Sequence, residues 1–126
     1  MFIAILGGTG SDRKNKAKEQ LQKMFPKTTF LFALIESVPT EDVLLGHAYQ
    51  SAGFFNDKQI VLVKDCAHEI FDAYSKKTLE TLAQSETPFI FLDEKLTKAT
   101  ETELKEYDAT VVTLVTKEKK STSKKT

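Results

Sequence analysis

The chain has 126 residues, 40% of them hydrophobic and 29% charged, a balance that fits one globular domain with a single core and excludes an intrinsically disordered chain. Lys+Arg and Asp+Glu are both 18, so no overall charge drives it onto nucleic acid or a membrane surface. The single cysteine, Cys66, excludes an internal disulfide and suits a reducing compartment; with no apolar run long enough to span a bilayer, the cytoplasm is the expected location.

In chain order, Phe2–Leu6 is a short apolar run that passes directly into Gly7-Gly8 without a basic leader, so it reads as a first strand and not as a signal peptide. Residues Ser11–Phe25 follow with Ala17, Leu21, Met24 and Phe25 at helical spacing; Ser11 or Asp12 is placed to cap this helix and Pro26 to end it. Thr29–Ile35 is the second strand candidate. A second helix is expected from Pro39-Thr40-Glu41-Asp42 to about Ala52, with Thr40 as cap and Val43, Leu44, Ala48 and His47 turned inward. Gln59–Val63 is the third strand, and one helix over Cys66 to Gln84 carries Ile70, Phe71, Tyr74, Leu79 and Leu82. Phe89–Leu92, a helix over Lys98–Tyr107 leaning on Leu104, and Thr110–Val115 complete the series. The strands lack strict alternation, as strands buried on both faces do. The order predicts an α/β fold: a five-stranded, mostly parallel sheet with helices on both faces. Residues 1–116 form this domain, and 117–126, with five lysines, one glutamate and no apolar residue, read as a basic disordered tail able to touch phosphates.

In such sheets function sits beyond the carboxyl ends of the strands. Gly7-Gly8-Thr9-Gly10 stands where nucleotide-binding folds place a phosphate loop, whose backbone N–H groups converge on an anion. Against the dinucleotide fingerprint, Gly8 and Gly10 match but Arg13 stands where the third glycine belongs. Against the P-loop pattern, Gly8 and Lys14 match, but Arg13 replaces the second glycine and Asn15 the magnesium-binding hydroxyl residue. Gly8, Gly10 and Lys14 are thus either a vestigial nucleotide or anion loop, for ATP, GTP or NADP, or a glycine turn before a capped helix. Phe89-Ile90-Phe91-Leu92-Asp93-Glu94 has the form of a strand ending in metal-supporting acids, yet with Asn15 in the first loop such a site is half built. Strand-end acids at the sheet rim are the simpler reading. His47 and His68 lack partners at metal-ligand spacing, and Cys66 reads as a small buried residue. No catalytic residue, metal site or cofactor is expected.

Phe54-Phe55 interrupt the short Gly/Asn/Asp-rich connection between the second helix and the strand that begins at Gln59, where loops are ordinarily built from polar residues. They are either a plug under the sheet or an anchor offered to a partner.

The element order, the degenerate phosphate loop and the segment Gln50-Ser51-Ala52-Gly53-Phe54-Phe55 before Asn56-Asp57-Lys58-Gln59-Ile60-Val61-Leu62-Val63 together resemble the N-terminal domain of the bacterial DNA polymerase III delta subunit. That subunit is the clamp-opening member of the replicative clamp loader. Phe89-Ile90-Phe91-Leu92-Asp93-Glu94-Lys95-Leu96 is similar to the family's fourth strand and the charged turn after it. The resemblance implies a P-loop NTPase-like sandwich of the AAA+ kind without a working nucleotide site. It further implies that Phe54 and Phe55 enter a hydrophobic pocket on the sliding clamp, with Gln50 in the place of the polar residue that opens clamp-binding motifs. Phenylalanine stands at 54 where leucine is usual, and Gly53 where serine is. Other clamp-loader subunits are further implied partners, and DNA contact is left to the lysine tail. The resemblance covers residues 1 to 116; a delta subunit continues into a helical lid and collar.

Overall fold

A computed structural model describes residues 1–49 and 57–114 of the chain. The elements are β1 (Phe2–Leu6), α1 (Gly10–Met24), β2 (Thr29–Ile35), α2 (Glu41–Tyr49), β3 (Asp57–Lys64), α3 (Ala67–Ala73), α4 (Lys76–Gln84), β4 (Phe89–Asp93), α5 (Lys98–Glu106) and β5 (Thr110–Thr113). The strands form one sheet in the order β2-β3-β4-β1-β5, and every pairing is parallel. Parallel neighbours need crossovers, and the helices supply them on both faces. The result is the expected three-layer α/β sandwich, opening with the strand–glycine turn–helix unit of P-loop-like folds.

The two faces of the sheet separate by residue parity. Phe2, Ala4, Val61, Val63, Phe89 and Phe91 meet Leu44 of α2, Ile70 and Phe71 of α3, Leu79 and Leu82 of α4, and Leu104 of α5. Phe2 lies at the centre of this layer, edge-on to Phe71 (5.6 Å), Phe91 (5.4 Å) and Tyr107 (5.9 Å between centroids), the arrangement that ring quadrupoles favour. On the opposite face Ile3, Ile5, Ile60, Leu62, Ile90 and Leu92 pack against Ala17 and Leu21 of α1. One helix there covers less of the sheet than four do on the other side, and β2 at the edge keeps Phe32 and Leu34 exposed.

Three expectations are corrected. The helix over Cys66–Gln84 is two helices, α3 and α4, because Tyr74 is extended (ψ 149°) and Ser75 begins again as an N-cap, accepting the N–H of Thr78 at 3.2 Å. Tyr74 is held out of helical conformation while its hydroxyl donates to the carbonyls of Pro39 (2.7 Å) and Thr40 (3.2 Å). The cap of α1 is Thr9, not Ser11 or Asp12. Val43 is exposed, whereas Leu44 is buried as expected and Ala48 packs against the core. Smaller differences are that β3 begins two residues earlier, at Asp57, and that β4 includes Asp93.

Candidate functional site

The carboxyl ends of β1, β3 and β4 meet at one rim. After β1 the chain turns through Gly7 (φ +85°) and Gly8 (φ +61°), both in the left-handed region that side chains disfavour. The turn is also tight: a Cβ on Gly7 would lie 2.5 Å from the carbonyl oxygen of Leu114, beyond β5. Gly10 is different. It opens α1 with nothing within 4 Å of where a Cβ would stand.

Two of the N–H donors at this helix start, those of Thr9 and Asp12, are taken by the chain's own side chains. Thr9 Oγ1 accepts the N–H of Asp12 (3.1 Å), and Asp12 Oδ2 accepts the N–H of Thr9 (3.0 Å), a reciprocal capping box. The Thr9 N–H first, and then the Thr9 hydroxyl, hold the Asp12 carboxyl below the usual carboxylate range. Beside it Arg13 is buried and its Nη1 donates to the carbonyls of Gly7 (2.9 Å) and Gly8 (3.0 Å). A cation and a carboxylate of the chain itself thus occupy the turn from both sides. Lys14 is exposed one residue on and lines a cavity of about 230 Å³ with Ala17, Lys18, Phe32, Leu34 and Leu62.

Asp93 ends β4 at this rim, as expected of a strand-end acid, but it is buried, 9% exposed, with Oδ1 lacking a hydrogen-bond partner. Burial raises its pKa to about 6, assisted by the charges of Asp65 and Glu69, while Arg13 pulls the other way. Glu94, next in sequence, is exposed. Asp65 leaves β3 with φ +58° and donates its N–H to the carbonyl of Leu92 at 3.1 Å, tying the ends of β3 and β4 together. Cys66 is buried, and desolvation with the nearby Asp93, Glu69 and Asp65 raises its thiol to about 11. A thiol so raised stays protonated and is a poor nucleophile at neutral pH. His68 lies within 3.4 Å of Asp72 one turn on and 3.3 Å from Thr100 Oγ1. Among the described residues, no group of three or more His, Cys, Asp or Glu side chains is placed to hold a metal ion, and no helix is long and apolar enough to cross a membrane.

A second feature lies at the β2 edge. Among the described residues the exposed large hydrophobic side chains are Leu31, Phe32, Leu34, Val38, Val43 and Tyr49. All belong to β2, to the connection after it, or to α2. Surface apolar side chains are ordinary when scattered; here they fall within one stretch of chain, Leu31 to Tyr49, with Leu31 on the α2 face of the sheet and Phe32 and Leu34 on the α1 face. Tyr49, at 72% exposure, is the last residue of α2. Gln50, Phe54 and Phe55 come next in the chain and lie outside the described residues, as do Val115 and the lysine tail.

No protein-family model matches the chain, and no curated protein does. A solved structure of Drosophila ORC bound to DNA contains a similar chain, at TM-score 0.49 and 10% identity over 90% of this chain and 37% of that one. The present chain therefore spans little more than a third of that chain's length. At this level the likeness carries nothing about what the chain binds or does.

Proposed function

We propose that this chain is a non-catalytic protein-interaction domain of a DNA-replication assembly, similar in role to the delta subunit's first domain. On this reading Phe54 and Phe55 dock in a hydrophobic pocket of a bacterial sliding clamp, and Gln50 donates to the pocket's polar rim. The observation that supports it most is the stretch of exposed apolar side chains from Leu31 to Tyr49, from β2 to α2, which leads by chain order into the Phe-Phe step. Two aromatic anchors in a desolvated pocket can carry much of a modest interface.

The occupied glycine turn supports the non-catalytic reading. A phosphate approaching Gly7–Gly10 would have to displace the Asp12 carboxylate from the helix start and the Arg13 guanidinium from the Gly7 and Gly8 carbonyls. Own ATPase activity is not expected. The test is binding of the purified chain to immobilised sliding clamp, with and without Phe54→Ala/Phe55→Ala. Saturable binding lost in the variant supports the reading; equal binding by both refutes the anchor assignment.

A further inference from the structure

The β2 edge has a property that the clamp reading does not use. β2 pairs with β3 along its whole length, Thr29 with Asp57 through Ile35 with Val63, and is the terminal strand of the sheet. Among the described residues, its outer backbone groups therefore face no other strand. Natural edge strands avoid pairing by being short, by carrying charges or proline, or by bulging. Thr29-Phe30-Leu31-Phe32-Ala33-Leu34-Ile35 has seven residues with neither charge nor proline, whereas the opposite edge, β5, has four. Exposure on β2 also occurs on both faces: Leu31 is 54% exposed on the α2 side, and Phe32 and Leu34 are 43% and 46% exposed on the α1 side. A helix laid on one face would leave the other uncovered. A strand added at the edge borders both.

From this we infer that β2 pairs antiparallel with β2 of a second copy, joining two five-stranded sheets into one of ten strands. A two-fold axis perpendicular to the sheet keeps the α1 faces of both copies on the same side and requires like-faced residues to oppose each other. Centring the ladder on Phe32 is the one register that pairs all seven residues. Thr29 then opposes the partner's Ile35, Phe30 the partner's Leu34, Leu31 the partner's Ala33, and Phe32 itself. Charge agrees with this direction. The exposed Lys27 precedes β2, and Glu36, its side chain 63% exposed and 3.6 Å from Lys64 at the end of β3, follows it; antiparallel pairing adds the partner's Lys27 to the surroundings of this exposed carboxylate at both ends, and a parallel pairing would bring like charges together. The chain's own tail is no substitute as the occupant, since residues 117–126 contain no apolar residue. The pairing consumes the edge on both copies, so the assembly closes at two.

Sedimentation velocity of the intact chain from micromolar to near-millimolar concentration tests this. The mass is expected to rise from 14.2 kDa toward twice that value, and Phe32→Lys, the charge that natural edge strands carry, is expected to remain monomeric with an unchanged circular-dichroism spectrum. Should that variant fail to fold, single-cysteine variants in a Cys66→Ala background serve instead. Oxidation is expected to link Phe32→Cys to itself across the axis and to leave Thr113→Cys, on the β5 edge, unlinked. A monomer at every concentration overturns the proposal, as does linkage through Thr113→Cys in place of Phe32→Cys, or growth beyond two copies. None of these measurements involves a clamp, so failure here leaves the clamp reading standing.

Discussion

The guanidinium of Arg13 donates to the carbonyl of Gly8 at 3.0 Å and, with the same nitrogen, to that of Gly7 at 2.9 Å. The side chain that stands where the phosphate-loop patterns require glycine is thus the one that closes the turn. Backbone N–H groups of a phosphate loop must point inward to free space; in this turn the interior is held by a buried cation facing carbonyl oxygens. A glycine turn and a phosphate loop share composition but differ in which backbone groups they present.

Arg13→Ala should destabilise the domain by about 2–3 kcal/mol, since it leaves two carbonyls of the turn without their charged donor. Urea denaturation followed by circular dichroism measures this directly. Neither the wild type nor the variant should gain thermal stability from millimolar ATP, GTP or NADP. Because any ligand of the native state raises its melting temperature, an upward shift of several degrees in the wild type would contradict the non-catalytic reading and restore Gly8, Gly10 and Lys14 as a site.

Gly7 and Gly10 should respond oppositely to alanine. At Gly7 the positive φ and the Leu114 oxygen 2.5 Å from the new Cβ predict a loss of about 2 kcal/mol or more. Gly10 begins α1 with open space around it, so Gly10→Ala should be neutral or stabilising by a few tenths of a kcal/mol up to about 1 kcal/mol. Paired denaturation curves check both, and an equal loss at the two positions would show that the turn's geometry is misassigned.

Asp93 makes stability depend on pH in a direction opposite to most carboxylates. Its native pKa, about 6, exceeds the ordinary value of 3.8 because burial penalises the charged form. Between these values the native state holds the proton more tightly than the unfolded chain, so this group's contribution falls as pH rises from about 4 to 6 and stays low above. Asp93→Asn should therefore raise stability at pH 7 by about 1–2 kcal/mol and do little at pH 4. Melting both proteins across that interval checks the sign. A variant destabilised at pH 7 would mean that the ionised carboxylate is needed by Arg13.

The sheet was the most legible part of the chain. Uninterrupted apolar runs mark the strands of the parallel sheet, and Phe2–Leu6 and Phe89–Leu92 are buried along their whole length; Thr29–Ile35 has the same appearance but is the edge strand and is largely exposed, so the run alone does not tell a central strand from an edge one. Local chemistry was harder to place. Ser75 cuts one apparent helix in two, yet Ile70, Phe71, Tyr74, Leu79 and Leu82 keep a helical spacing across the break, because α3 and α4 pack on the same face of the sheet. Thr9 is hidden as a cap by the glycine run around it, although Asp12 three residues later carries the capping-box signal. In the sequence Arg13 is only a departure from two motifs; its bonds to the carbonyls of Gly7 and Gly8 exist only in three dimensions. Val43 fits an inward helical position by spacing alone, but α2 borders the edge strand, where less of its circumference is covered.

The clamp-binding claim concerns Phe54 and Phe55, and the most direct measurement is a competition. The chain is titrated onto an immobilised bacterial sliding clamp, then challenged with a short peptide carrying a Leu-Phe clamp-binding step. The account predicts saturable binding, displacement by the peptide, and loss of at least tenfold in affinity, about 1.4 kcal/mol, in Phe54→Ala/Phe55→Ala. That variant should melt near the wild-type temperature, since deleting a buried phenylalanine would cost about 3–5 kcal/mol and an exposed one little. No binding by the intact chain, or a double variant that binds as well as the wild type, would contradict the account.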